Sequence, residues 1–190
     1  RKAHKQWANR PLEWFGWIDT LITATDWANF FALRDHYKAA PEIRDLACAI
    51  RAAIEGSTPT VRSPYDDHSE RGWHLPYCTA EDRLTYALPA LQQMSAARCA
   101  RISYTPFDSD TADITKDLEL FRGLLVEQPI HASPSGHQGC PDMIVETNIG
   151  KATVTHWAHP EEHGNFYGWR QFRKTIPNES VKDAHYAQNI

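Results

Sequence analysis

Long apolar runs are absent from this sequence: nowhere do apolar residues continue for the roughly 20 positions that a membrane-spanning helix needs. The first residues lack a secretory signal pattern, because Arg10, Pro11, Glu13 and Asp19 interrupt each short apolar stretch. Excess charge of one sign is missing too. Twenty Lys and Arg stand against 24 Asp and Glu, a net charge of −4, which argues against a broad nucleic-acid-binding face. Cysteine is scarce and unpatterned. Cys48, Cys78, Cys99 and Cys140 form no C-x-x-C pair, so reduced thiols and a cytoplasm-like compartment are expected. No initiator Met opens the chain, and Arg1 leads directly into helix-compatible residues 2–9. A longer parent protein is therefore expected.

What is present suits a folded domain. The chain has 190 residues, 42% hydrophobic and 23% charged, with seven each of Trp, Tyr and Phe to fill a core. The spacing predicts a helix from about Thr20 to Tyr37, beyond the break at Pro11. Pro41 opens a further helix carrying Ile43, Leu46, Ala47, Ile50 and Ile54, which the Gly56–Pro59 segment ends. Residues 57–78 are polar and turn-rich, a loop longer than compact domains usually hold. Thr79 and Asp82 make a capping box that starts a helix reaching about Ala100, interrupted near Pro89. Residues 101–105 form a strand candidate, Ile114, Leu118, Phe121 and Leu125 an amphipathic helix, and 129–140 a loop. A hairpin is expected from residues 143–145 and 152–155 around Asn148–Gly150. An aromatic and basic block fills 164–174. The expected fold is α+β, mostly helical with a small antiparallel sheet.

Several clusters could carry chemistry. Trp27, Phe30, Phe31 and Arg34 fall on one helical stripe, which places the Arg34 guanidinium on an apolar face. Such a cation needs an anion: either a bound phosphate or carboxylate, or a structural partner such as Glu42. The His131-Ala132-Ser133-Pro134 turn offers an imidazole and a hydroxyl on a fixed backbone. His131, His137, Cys140, His156, His159 and His163 supply zinc-type donors, but at no recognised zinc spacing, so hydrogen-bonded or solvated histidines and no metal are expected. Cys78 lies beside Glu81 and Asp82, acidic neighbours that disfavour a nucleophilic thiolate.

Four segments together resemble the flavin-dependent thymidylate synthases. Lys5-Gln6-Trp7-Ala8-Asn9-Arg10 with Leu12 is similar to that family's Lys-Glu-x-Ala-Arg segment. Asn29-Phe30-Phe31-Ala32-Leu33-Arg34, followed by Ala39 and Glu42-Ile43, resembles its Asn-x-x-x-Leu-Arg helix and continuation. Ala100-Arg101-Ile102-Ser103-Tyr104 looks like its Ser-bearing strand, and His131-Ala132-Ser133-Pro134 with His137 like its His-x-Ser/Thr-Pro-Phe-Glu-His loop. The order of segments resembles that of longer, permuted phage-type relatives, which also end in a block similar to residues 164–174. The family's Arg-His-Arg hallmark is not in this sequence. In the permuted relatives it lies upstream, so the chain is expected to be the C-terminal portion of such a protein. Ser135 and Gly136 replace the family's Phe and Glu.

The resemblance implies one N-terminally truncated catalytic domain over 1–190, with a helical region over 1–56, a loop over 57–78 and a helix-strand-loop region over 79–190. It implies conversion of dUMP to dTMP, with methylenetetrahydrofolate giving the carbon, reduced FAD the hydride, and NADPH reducing the flavin. Arg34 and Arg10 (or Asn9 in another register), with Gln171 and Arg173, would contact dUMP. Ser103, His131, Ser133 and Asn29 would contact FAD, with Ser103 and the His131 loop sharing one pocket. A homotetramer with sites between subunits is implied, along with a bacterial or phage-host cytoplasm. Two other readings stay open: a flavin- or nucleotide-binding homologue without synthase activity, and a zinc-dependent structural or nucleic-acid module.

Overall fold

A computed structural model of the chain describes residues 10–102, 113–150 and 152–180. The helix expected over 2–9, Asn9 and Ser103 lie outside those residues. The described residues form an α+β fold of five helices and two small antiparallel sheets. The helices are α1 (Ala28–Arg34), α2 (Pro41–Glu55), α3 (Ala80–Thr85), α4 (Leu88–Ala100) and α5 (Ile114–Leu125). The strands are β1 (Gly139–Pro141), β2 (Ile144–Ile149), β3 (Ala152–Trp157) and β4 (Trp169–Gln171). β1 pairs with β4 and β2 with β3.

The core is built around α4. Leu91, Met94, Ser95, Ala96, Ala97 and Cys99 are all buried, so this helix is covered on nearly every side, and its small residues admit close neighbours. α5 packs against it through Phe121 and Leu125. Phe172, just past β4, completes the centre: its ring stacks on Phe121 at 6.2 Å and meets Trp73 edge-on at 6.4 Å. Trp73 and Leu75 reach this core from the polar stretch 57–78. That stretch is therefore no detached loop. A single turn at Pro64–Asp66 and a bridge between His74 and Gly139 fix it to β1.

The local signals that come out as expected have explicit chemistry. Thr79 and Asp82 close both bonds of the capping box at the start of α3. Pro41 and Pro89 sit in the first turns of α2 and α4, where a missing N–H costs nothing. The β2–β3 hairpin turns at Gly150, whose φ of 64° suits a residue without Cβ.

Elsewhere the structure corrects the expectation. The helix predicted from Thr20 to Tyr37 is only α1, Ala28–Arg34. Asp26 Oδ1 accepts from the Ala28 N–H and starts it late, while Thr23 and Thr25 spend their hydroxyls on His137 and the Tyr167 N–H. Arg101 and Ile102 form a turn rather than the start of a strand. The loop expected over 129–140 holds a short 3-10 turn, Ser133–Gly136, and leads into β1. α1 and α2 pack on each other beside the core, and Ala47 is their one buried residue.

Candidate functional site

Among the expected residues, His131 and Ser133 border an open depression of about 430 Å³ where α4, α5 and the 131–134 turn meet. Cys99 and Ala100, Leu120 and Leu124, and His131, Ser133 and Pro134 line it. An apolar lining with a few polar groups, at this size, is the usual make-up of a small-molecule site. The His131 and Ser133 side chains are exposed, and the His131 N–H donates to Leu124 O at 2.7 Å, which fixes the turn to the end of α5.

Behind the cleft wall lies a buried polar network that sequence reasoning did not single out. Gln138 is fully buried. Its Nε2 donates to Ser95 Oγ at 3.1 Å and to Pro134 O at 3.2 Å, and lies 3.5 Å from Cys99 Sγ. Ser95 in turn donates to Pro76 O at 2.8 Å. Gln138 Oε1 has no donor among the described residues, a state that typically costs about 1–3 kcal/mol. Nothing in the spacing of a single glutamine between His137 and Gly139 signals such a role.

α4 and α5 are held at this angle by charge. Arg98 donates from Nε to Asp117 Oδ2 at 2.8 Å and from Nη1 to Asp82 Oδ2 at 2.6 Å, and Arg101 also pairs with Asp117. Burial pushes the Asp82 carboxyl upward, but the Arg98 guanidinium and the Thr79 cap outweigh it and hold its pKa below the usual value.

The remaining expected site residues are not gathered here. Arg34 does not sit on a buried face: it is exposed, no carboxylate pairs with it among the described residues, and α1 has no buried residue. The stripe of Trp27, Phe30 and Phe31 is real, with the three rings in mutual contact and Arg51 over Phe31 at 4.5 Å. Among the described residues it packs mainly on α2, and Arg34 at the end of the stripe stays in water. Arg34 instead lines a shallow depression of about 320 Å³ with Leu33, His36 and Lys38. Asn29 is exposed on α1, and Arg10 is exposed in a 3-10 turn, Arg10–Phe15.

Gln171 and Arg173 are engaged internally. Gln171 is buried and donates from Nε2 to Gly136 O at 2.8 Å and to Asn165 Oδ1 at 2.7 Å. Gly164, at φ 58°, is required beside it, since a Cβ there would lie 2.3 Å from Gln171 Oε1. Arg173 and Lys174 both clasp Glu179, at 2.7 Å each.

The histidines and Cys140 do not assemble around a common point. His159 Nδ1 and His163 Nε2 meet the buried Asp142 at 3.0 and 2.9 Å, His156 meets Thr147 at 2.8 Å, and His137 meets Thr23 at 3.1 Å. Among the described residues no three His, Cys, Asp or Glu side chains are placed to hold a metal ion. Cysteine chemistry is also muted. Burial pushes the Cys99 and Cys140 thiols up to about 12, and Cys78 upward as well. Among the described residues no helix is long and apolar enough to cross a membrane. No family model, curated protein or solved structure gives a match to this chain.

Proposed function

We propose that this chain belongs to a flavin-dependent thymidylate synthase, which converts dUMP to dTMP with methylenetetrahydrofolate and NADPH as co-substrates. One observation carries the reading. His131 and Ser133 line one depression with Cys99 and Ala100, so the 131–134 turn and the first residue of the Ala100–Tyr104 segment, well apart in sequence, border a common space.

The cleft residues fit a flavin. Leu120, Leu124 and Ala100 offer apolar surface for a ring system, and His131 and Ser133 offer hydrogen bonds at its edge. Gln138, bonded to the cleft-wall residues Cys99 and Pro134, keeps one buried acceptor that a ligand N–H or an ordered water would satisfy. Bound flavin would supply the hydride; the chain's own residues would hold its ring and its polar edge. The buried thiols at Cys99 and Cys140, kept protonated, are in keeping with chemistry that uses no cysteine nucleophile.

Arg34 is the dUMP-binding candidate on this reading, because an exposed guanidinium fork with no carboxylate partner among the described residues can take a phosphate or a carbonyl edge. It sits on the α1–α2 hairpin with Leu33, Leu46 and Ile54 exposed nearby, a surface suited to a second copy of the chain in a homotetramer with shared sites.

A second reading, a flavin- or nucleotide-binding homologue without synthase activity, is favoured by the Ser135–Gly136 departure. Ser135 is buried and donates from Oγ to Ala132 O at 2.7 Å, so it closes the turn and offers nothing to a ligand. The purified full-length protein should show the visible absorbance of a bound isoalloxazine, and should form dTMP from dUMP when methylenetetrahydrofolate and NADPH are added. Flavin without dTMP selects the second reading. Absence of flavin after reconstitution with FAD removes both.

A further inference from the structure

Arginines withdrawn from solvent in this structure have carboxylate partners, with two exceptions. Arg51 reaches Asp35, Arg98 and Arg101 reach Asp117, Arg170 reaches Asp67 and Glu162, and Arg173 reaches Glu179. Arg62 and Arg83 are equally half-buried but donate only to backbone carbonyls. Arg62 Nη1 donates to Arg71 O at 2.7 Å, while Arg83 donates from Nη1 to Glu70 O at 3.0 Å and from Nη2 to Leu75 O at 3.1 Å. No carboxylate among the described residues lies within ion-pair distance of either.

These bonds bring both guanidiniums to the same short segment, 70–75, and so to His74. His74 is bonded through its backbone to Gly139, with N–H to O at 2.7 Å, which sets His137 close by on the neighbouring chain segment. The His74 ring has no hydrogen-bond partner among the described residues, and His137 Nδ1 faces Thr23 while its Nε2 has no partner among them. Burial lowers the His74 pKa, and Arg62, Arg83 and His137 lower it further; no acidic group offsets them. Arg83 likewise depresses the pKa of Arg62, after burial. Two part-desolvated like charges held together without an anion cost free energy that a bound anion would return.

We propose that Arg62 and Arg83, with His74 and His137 at the edge, form a binding site for a phosphoryl dianion, either free phosphate or a phosphate monoester. Two fixed positive charges match the charge of about −1.5 to −2 that such a group carries at pH 7. Guanidinium forks match its oxygens in pairs. The carbonyl bonds leave most of the donor hydrogens unused: Arg62 gives one and Arg83 two of the five each possesses. The site does not depend on the flavin reading, since none of its residues lines the cleft.

The test uses the full-length protein and inorganic phosphate, with chloride and acetate at equal ionic strength. Phosphate should raise the melting temperature where chloride and acetate do not, and calorimetry should return a saturable isotherm. Arg62→Gln and Arg83→Gln should each weaken phosphate about tenfold or more, the loss of one charge-assisted hydrogen bond. Arg44→Gln, on exposed α2, should leave affinity unchanged. The ring of His74, followed by NMR, should titrate at higher pH once phosphate is bound, because an anion favours imidazolium. Should Arg83→Gln fail to fold through its two lost carbonyl bonds, Arg62→Gln and His74→Gln carry the test, for His74 loses no side-chain bond. Equal protection by acetate, no saturable phosphate binding, or wild-type affinity in Arg62→Gln would each overturn the proposal.

Discussion

Arg98 Nε donates to Asp117 Oδ2 at 2.8 Å, and this bond ties α4 to α5, the two helices that wall the candidate cleft. Asp117 has no solvent exposure, and Arg101 shares it. Removing the carboxylate takes from Arg101 its carboxylate partner and leaves Arg98 with Asp82 alone, in a poorly solvated place. Asp117→Ala should therefore destabilise the protein by about 3–5 kcal/mol, measured by urea unfolding, and should open the cleft. Asp45→Ala, on exposed α2, should stay within about 0.5 kcal/mol of wild type.

Glu179 gives stability a specific acid dependence. Burial works to raise its carboxyl, but hydrogen bonds from Lys174 and Arg173 win and lower it from 4.5 to about 2. A depressed folded-state pKa contributes stability above the unfolded value that disappears as pH falls through the folded one. Thermal stability should therefore decline between about pH 4.5 and pH 2, and Glu179→Gln should flatten that portion of the profile. The same variant releases Arg173, so any gain in anion binding in Glu179→Gln would show that Arg173 was sequestered.

Arg34 offers a clean separation of structure from binding. Since it is exposed and unpaired with any described carboxylate, Arg34→Lys should leave the melting temperature unchanged. The dUMP affinity of the full-length protein should fall roughly tenfold to a hundredfold, as Lys keeps the charge but loses the fork. An unchanged dUMP affinity would remove Arg34 from the site.

The thiols should react in an order set by burial. Cys99 and Cys140, both buried and raised to about 12, should resist iodoacetamide at pH 8 in the native state. Cys48 is exposed, and although its hydrogen bond to Asp35 raises its pKa, it should be alkylated first. Peptide mapping after timed alkylation gives the order directly, and early labelling of Cys99 would mean that the cleft wall opens.

Local features of this protein were legible in the residues themselves. The capping box at Thr79 and Asp82, the prolines opening α2 and α4, the apolar spacing of α5 and the Gly150 turn each depend on neighbours within a few positions, so the sequence alone specifies them. Burial was another matter. The periodicity that placed Arg34 on an apolar face describes one helix, whereas its exposure depends on how many other elements cover that helix, and among the described residues α1 packs mainly on α2. Trp73 and Leu75 sit in a stretch too polar to read as core, yet the bridge from His74 to Gly139 carries them into it. Gln138 and Gln171 read as ordinary polar residues, and only tertiary packing turns them into buried ties between distant segments. Hydrogen bonds and charges between residues scores of positions apart are set by the path of the chain in space, which is why the cation pair at Arg62 and Arg83 became visible only in the folded structure.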